Sequence, residues 1–475
     1  MEENNLILKK DKIELFQSQG LYDCPLALLK ERKSIQEIRD NFKESEEKVI
    51  AGRIMAKRLH GKALFFDLKD FSGKLQVYIK EDLVGRDLFN IVKDFDIGDI
   101  ALFKGQLFKT RTQEITLNAK NIYLLSKSLR HLPEKWHGLK DIEIRYRQRY
   151  LDIISNEKVK EIFLLRTKMI KEIRNFLDNL GFIEVETPMI QSIPGGARGR
   201  PFKTYHNEYD LELYLRIAPE LYLKRLLVAG FEKVYELNRN FRNEGISTKH
   251  SPEFTMLEVY SAYSDYQDML DLTKKLLLHL AKTVLGKEKF NYQSKTIDLS
   301  NWQEVSFAKL VKEKYDINPD DDLDTWIEKL KKNNIAVGNN LSRSFIINLI
   351  SELVEPQSEN PVFVTDLFSI FCPLAKRKKD NPYLSERFEL FIAGIEVANA
   401  YSELNDPIEQ RQRFEEELKD LAKDEKRQID EDFLLALEYG MPPAGGLGIG
   451  IDRLAMIFLD QPSIRDVIIF PLLKP

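Results

Sequence analysis

FEKVYELNRNFRNEGISTKHSPEFTMLEVYSAY, from Phe231 to Tyr263, decides how the rest of the chain is read. Alternation in its first run puts Glu236, Asn238, Asn240 and Arg242 on one face, with Tyr235, Leu237 and Phe241 on the other. In the second run Phe254, Met256, Glu258 and Tyr260 share a face opposite Thr255, Leu257 and Val259. A repeat of two marks a strand, because successive side chains leave a pleated backbone on opposite sides. A polar loop over residues 243–252 is predicted between the strands, carrying Glu244, Gly245, Lys249 and His250, and Pro252 disfavours helix there. Water-facing strand surfaces are usually filled by Lys, Thr and Ser. An arginine, two glutamates and two asparagines beside a phenylalanine point to a binding face.

Outward from this hairpin, the C-terminal block PPAGGLGIGIDRLAMIFLDQ has glycines at 445, 446, 448 and 450, leaving flat backbone against which a planar base can lie. Arg453 then opens a helix whose Leu454, Ile457 and Phe458 turn inward. An arginine is badly placed against the positive end of a helix dipole, so a bound anion is its expected partner. Upstream, residues 193–201 form a Gly-rich loop before a strand at 211–216, and Ala218-Pro219-Glu220 opens the apolar helix LYLKRLLVAG. In the first turn of that helix a carboxylate also suits the dipole, which accounts for Glu220 on structural grounds alone. A long amphipathic helix carries Val159, Ile162, Phe163, Leu165, Met169, Ile170, Ile173, Phe176 and Leu177, and ends near Gly181. FIEVETPMI follows as a strand interrupted by Pro188, which assigns it to an edge or an interface. Helix and edge strand form either a dimerisation element or packing within one subunit.

Residues 265–354 are Lys/Asp/Leu-rich with an acidic run at 320–324, and are expected to be a helical insertion. The strand PVFVTDLF resumes the sheet at Pro361, followed by RFELFIAGIEVANAYSELND (387–406) and a charged helix from Pro407 to about Asp424. Residues 1–48 read as a charged helical extension with Ser34 as a helix cap. Residues 49–126 switch to five short strands, with a helix expected near 84–92, the pattern of an oligonucleotide-binding (OB) barrel. Arg53, Lys57, Arg58, Phe65, Gln76 and Tyr78 would bring cations and aromatics to one face, which is how such barrels hold single-stranded bases. Residues 127–155, with Arg145, Arg147 and Arg149, read as a basic linker able to touch a phosphate backbone. Residues 156–475 form the remaining domain, which carries the hairpin and the Gly-rich block.

The totals set outer limits. A chain of 475 residues with 43% hydrophobic content supports two or three domains with proper cores. A formal charge of −4 makes any nucleic-acid footprint local. Two cysteines, Cys24 and Cys372, are too few for a disulfide framework and fit a reducing, cytoplasmic setting. No apolar run approaches a membrane span, and the acidic N-terminus argues against a targeting peptide. There is no G-x-x-x-x-G-K followed by Ser or Thr, no complete dinucleotide fingerprint, no G-x-S-x-G elbow and no metal-ligand spacing among the six histidines. Carboxylates, arginines and an aromatic remain. Arg242 and Arg453 suit phosphate oxygens, Phe254 offers a face to a base, and Glu389 and Glu396 are the best candidates for Mg²⁺.

Here the chain resembles the class II aminoacyl-tRNA synthetases, and among them the lysine-charging branch. The helix plus GFIEVETP, then NRNFRNEGISTKHSPEFTMLEVY, then GLGIGIDR, match that family's three motifs in order. RYRQRYLD, IPGGARGRPF, LRIAPELYLKRL and SELND match the lysine-specific branch, so that the likeness covers residues 49–475. It implies an α+β protein: an antiparallel catalytic sheet with flanking helices, behind an N-terminal OB-type anticodon-binding barrel. It also implies a homodimer that uses ATP, Mg²⁺, L-lysine and tRNA(Lys), first making lysyl-adenylate and then charging the tRNA. By resemblance Arg242 holds the α-phosphate and the lysine carboxylate, and Arg242 and Arg453 are the catalytic pair. Glu244 would meet the adenine amino group, Phe254 would stack on adenine, and His250 and Arg453 would contact the β- and γ-phosphates. Glu389 and Glu396 match the metal positions. Gly196 and Glu220 would take the α-amino group; Glu258, Tyr260, Asn399, Tyr401 and Glu403 would line the lysine pocket. Arg58, Phe65, Gln76 and Glu114 match positions used on the anticodon.

Two departures stand out. Where many bacterial relatives read GREIGNGFSELND, this chain has GIEVANAYSELND, with Ile395, Ala398, Ala400 and Tyr401 substituted. Strict alternation also puts Glu396 on the face opposite Asn399, Tyr401 and Glu403, so a bulge near Ala398 is required if all four share one site. The rival readings are an aspartyl or asparaginyl enzyme, whose pocket should present cations, and a non-charging nucleotide- or RNA-binding paralogue on the same scaffold.

Overall fold

A computed structural model describes residues 2–133, 139, 141–197, 199–338, 342–419 and 428–474. Gly138, and the end of the helix expected to reach Asp424, lie outside these residues. The chain divides into two compact units, Met1–Lys140 and Asp141–Pro475.

In the first unit, strands β1 (Glu47–His60), β2 (Ala63–Lys69), β3 (Lys74–Lys80), β4 (Ile100–Lys109) and β5 (Ile115–Ser126) close a barrel in the order β1-β2-β3-β5-β4. Alternation sends Ile50, Ile54, Leu64, Phe66, Leu75, Val77 and Phe103 inward, and closure leaves no free sheet edge. The N-terminal helices add Phe16, Ile35 and Ile38 to this core, and Ser34 caps the helix Ile35–Asp40 by accepting from the Glu37 N–H.

The second unit is built on an eight-stranded sheet. Its strands are β6 (Ile183–Glu184), β7 (Lys233–Phe241), β8 (Glu253–Ala262), β9 (Gln303–Ser306), β10 (Val362–Thr365), β11 (Arg387–Ile392), β12 (Ile395–Ser402) and β13 (Ala444–Gly450). They lie in the order β9-β10-β11-β12-β13-β8-β7-β6. The middle is antiparallel, as expected; each edge strand runs parallel to its neighbour. One face is buried by α1 (Glu157–Asn179), α3 (Tyr266–Leu280) and α4 (Ile451–Phe458), through Met169, Ile173, Leu276, Leu277, Leu454 and Ile457. The other face is left concave. Helix α2 (Glu220–Val228) sits at its rim.

Two expectations need correction. Residues 265–354, expected as a helical insertion on the catalytic body, are built into that body: α3 packs on the central sheet, β9 is the sheet's edge strand, and the helices after it share a core with β10. Lys and Asp on their outer faces masked the apolar stripe facing the sheet. The arginines of 127–155 do not offer a free phosphate-binding run. Arg149 is fully buried against Asp152 (3.0 Å) and the Arg465 and Ile469 carbonyls, Arg145 pairs with Asp152 and Arg147 with Glu143. Helices at Ile142–Arg147 and Arg149–Ser155 thereby belong to the second unit.

Candidate active site

Antiparallel pairing aligns polar residues in rows across the concave face. Glu236 pairs with Glu258, Glu258 with Gly448, Gly448 with Asn399, and Asn399 with Glu389, a continuous row over five strands. In the next row Tyr260 pairs with Gly446 and Gly446 with Tyr401. The glycines of β13 are a steric necessity there: a Cβ on Gly446 would collide with the Glu403 carboxylate and the Tyr260 ring. The required bulge is present. Leu390 pairs with Ala398 but Phe391 with Glu396, leaving Val397 as the extra residue. Glu396 is thereby brought to the face of Asn399.

Two cavities open on this surface. One, of about 280 Å³, is lined by Gly196, Glu220, Glu258, Tyr260, Asn399 and Tyr401; the other, of about 120 Å³, by Glu244, His250, Phe254, Glu396 and Arg453. Arg242 lines both. Its guanidinium lies over the Phe254 ring at 5.2 Å, and its buried Nε has no hydrogen-bond partner among the described residues. Burial pulls its pKa down, an effect that an anion would relieve.

The larger cavity is acidic at its floor. Tyr401 donates to Glu220 (2.6 Å) and Tyr260 to Glu258 (3.1 Å). Burial, reinforced by the charge of Glu220, pushes Glu258 up to about 8. Glu403 is fully buried and also raised, by burial above all. Between Glu220 and Glu403 stands a residue the sequence reading passed over, Lys224, with ion pairs of 2.8 and 2.5 Å. The signal was available, since Glu220 and Lys224 are four apart on one helix. Behind the floor, Arg216 and Glu236 pair at 2.6 Å with both side chains 1% exposed. Removing one partner of such a pair costs about 3–5 kcal/mol, so this pair keeps the hairpin rigid.

In the smaller cavity Arg453 does not wait for an anion alone. It donates to the Glu396 carboxylate (3.1 Å) and carbonyl (2.9 Å), and meets His250 Nε2 at 2.9 Å. Burial and then the Arg453 charge hold His250 below its ordinary pKa. Asp452, also missed, accepts from the Thr255 N–H (2.7 Å) and Arg166 (2.6 Å), fixing α4 against β8.

An acidic cavity is thus joined at one arginine to a second cavity with an aromatic face, across the antiparallel part of the sheet. The class II tRNA synthetase model covering the aspartate, lysine and asparagine enzymes matches residues 141–474, and an OB-fold nucleic acid binding domain matches 48–125. The chain is 54% identical to a lysine–tRNA ligase of Carboxydothermus hydrogenoformans, over 93% of this chain and 92% of that protein. With the Moorella thermoacetica lysine–tRNA ligase it shares 50% identity, over 100% and 98%. The chain belongs to the class II tRNA synthetases, in the lysine–tRNA ligase family.

For this synthetase the family implies a divalent cation. Glu389 and Glu396 supply hard oxygen donors, as Mg²⁺ requires. Burial pushes Glu389 up to about 7 against the pull of Arg387 (2.6 Å), and the charges of Glu396 and Glu355 add to the rise. Among the described residues no group of three or more His, Cys, Asp or Glu side chains is arranged to hold a metal by itself, which suits an ion that takes its other oxygens from phosphates. Glu355, which shares a pocket with Glu389 and Glu396, was not singled out from sequence.

On the barrel, register brings Arg58, Phe65 and Tyr78 side by side, with Phe65 and Tyr78 rings 5.0 Å apart. Arg58 pairs with Asp67 (2.7 Å), Gln76 accepts from Thr116 (3.1 Å) and Glu114 meets Arg39 at 3.8 Å. Lys57 is not with them. It pairs in register with the inward Phe66 and donates to the Lys93 and Phe95 carbonyls. Arg53 donates to the Gly98 carbonyl.

Proposed function

We infer that this chain is a lysine–tRNA ligase, activating L-lysine with ATP and then transferring it to tRNA(Lys). The observation that carries the reading is the shared arginine. Arg242 stands where a cavity lined by Glu220, Glu258 and Tyr260, with Glu403 buried behind them, meets one walled by Phe254, His250 and Arg453. Buried carboxylates select a cationic amino acid, because an uncharged analogue leaves them unpaired. In the proposed complex Gly196 and Glu220 take the α-amino group, and Glu403 and Tyr260 the ε-ammonium, with Asn399 and Tyr401 as walls. Glu244 reads the adenine amino group and Phe254 stacks on the ring.

The lysine carboxylate oxygen attacks the α-phosphorus, forming the mixed anhydride as the bond to pyrophosphate breaks. Arg242 touches both reactants, aligns them and stabilises the charge that grows on the phosphate oxygens. Arg453 and His250 hold the β- and γ-phosphates, giving pyrophosphate a positively charged exit. A terminal ribose hydroxyl of the tRNA then attacks the activated carbonyl and releases AMP. Glu389 and Glu396 would hold Mg²⁺, which supplies charge neutralisation along the triphosphate.

The reading extends to four further features. Residues 49–126, with Arg58, Phe65, Gln76 and Glu114, would read the anticodon. Two copies would pair through α1 and the edge strand β6, a reading supported by Leu164 and Ile183 being 46% and 51% exposed. Both cysteines are free, which supports a reducing, cytoplasmic setting. Among the described residues no helix is long and apolar enough to cross a membrane.

Amino-acid-dependent ATP–pyrophosphate exchange tests the function. Exchange with lysine is expected. Exchange with aspartate or asparagine instead would select the sibling enzymes, and none with any amino acid would select the non-charging paralogue.

A further inference from the structure

Beneath the cavity lies a buried ammonium. Lys224 projects from α2 one turn after Glu220, and its side chain is completely buried. Nζ lies 2.8 Å from Glu220 Oε1 and 2.5 Å from Glu403 Oε2, with the Tyr401 ring 5.6 Å away. A buried lysine ordinarily sheds its proton, since desolvation penalises the charged form. Here burial pulls the pKa down, but the Glu220 and Glu403 carboxylates outweigh it and keep the ammonium charged.

The geometry divides each carboxylate. Glu220 gives Oε1 to Lys224 and to the Tyr401 hydroxyl. Glu403 gives Oε2 to Lys224, while its Oε1 is buried, has no hydrogen-bond partner among the described residues, and points to the gap beside Tyr260 that the missing Gly446 side chain leaves open. The groups facing this cluster are Glu220 from α2, Glu258 and Tyr260 from β8, Tyr401 and Glu403 from β12 and the turn after it, and Cys372 beneath Tyr401. Once lysine binding has expelled the proton from Glu258, three carboxylates face one internal ammonium, and the two negative charges left over match the two ammonium groups of free lysine. A bridging cation also sets where the two carboxylates stand relative to each other, which the carboxylates alone, repelling in a dry site, do not define.

We propose that Lys224 is a positioning residue for the amino-acid substrate: it bridges Glu220 and Glu403, aims them at opposite ends of the ligand, and trims the cavity to the charge of lysine. This rests on the function inferred above. Lys224 need not touch the substrate. It acts through Glu403, so the two residues form one unit, and removing either one removes most of what both provide.

The test is a double-mutant cycle on the full-length protein, read by lysine-dependent ATP–pyrophosphate exchange. Wild-type exchange with lysine comes first, and its absence overturns the functional reading together with this inference. With the wild type active, Lys224→Met is expected to raise the KM for lysine at least about tenfold while the KM for ATP stays within about twofold, the loss of a charged hydrogen-bonded pair being felt only in the amino-acid cleft. Removing one charge strands two buried carboxylates, so this variant can fail to fold. The double variant Lys224→Met/Glu403→Gln removes both members of the pair and keeps the question open to measurement. It is expected to show a lysine KM equal to that of Glu403→Gln alone. In Lys224→Ala, propylammonium supplied in the buffer is expected to lower the lysine KM again and to leave the ATP KM unmoved. A lysine KM for Lys224→Met within twofold of wild type, or a double variant whose KM is the product of the two single effects, overturns the proposal.

Discussion

Arg242 and Glu258 line the same cavity, yet burial acts on them in opposite ways. For Arg242, burial makes its charge expensive until an anion arrives, so its energy is released on binding and in the transition state. Arg242→Ala is expected to lower the rate of lysyl-adenylate formation by about 10²–10³-fold or more, the effect of deleting a group aimed at developing charge, with the melting temperature little changed. Near wild-type exchange would remove Arg242 from the mechanism. For Glu258 the sign runs through a proton. Its pKa rises from 4.5 to about 8, so the empty protein holds a proton at pH 7 that an arriving ammonium expels. Lysine binding is therefore expected to release protons, and lysine affinity to climb as pH rises from about 6 to about 8 and then level off. Calorimetry in buffers of different ionisation enthalpy measures the release; proton uptake would contradict it. The same shift makes the empty protein lose stability as pH rises from 4.5 towards 8, because the folded chain binds the proton more tightly than the unfolded one.

Among the elements, strand β12 shows how one extra residue re-aims a functional side chain. Without the bulge at Val397, Glu396 would point into the apolar layer beneath the sheet with Ala398 and Ala400. The barrel shows the converse, an element whose regular alternation suffices: Phe65 and Tyr78 are neighbours because β2 and β3 are in simple register. Stacking a base on such an aromatic is worth about 1–3 kcal/mol. Phe65→Ala should thus raise the KM for tRNA by about 5- to 150-fold and leave lysine-dependent exchange intact. If charging and exchange fall together, the barrel is not a separate anticodon reader.

Among the described residues the barrel closes on one core, and the second unit has its largest core under the eight-stranded sheet. The sheet ends in β6, two residues long, with Ile183 half exposed. An exposed edge invites a second chain unless it is covered. Ile183→Asp is accordingly expected to shift the protein from dimer to monomer in sedimentation velocity at micromolar concentration. A sedimentation coefficient unchanged from wild type, or a wild type already monomeric, would rule this interface out.

The strands of the hairpin, the five barrel strands and the amphipathic helix α1 were legible because each buries one face, and burying one face writes its period into the sequence. The residue types of both clefts were legible for the same local reason: Arg242, Glu258 and Tyr260 leave one side of one strand pair. The need for a bulge at β12 was legible too, as a conflict between alternation and chemistry. Four things were decided only by the tertiary structure. Arg453 turned to Glu396 and His250, Lys57 turned to helix-end carbonyls, Arg149 became a buried strut, and Lys224 came to lie behind the acidic cleft. Each is a long cationic side chain whose destination depends on which acceptor the fold brings within reach. Periodicity tells which way such a chain leaves the backbone; only the packed molecule decides where its charge comes to rest.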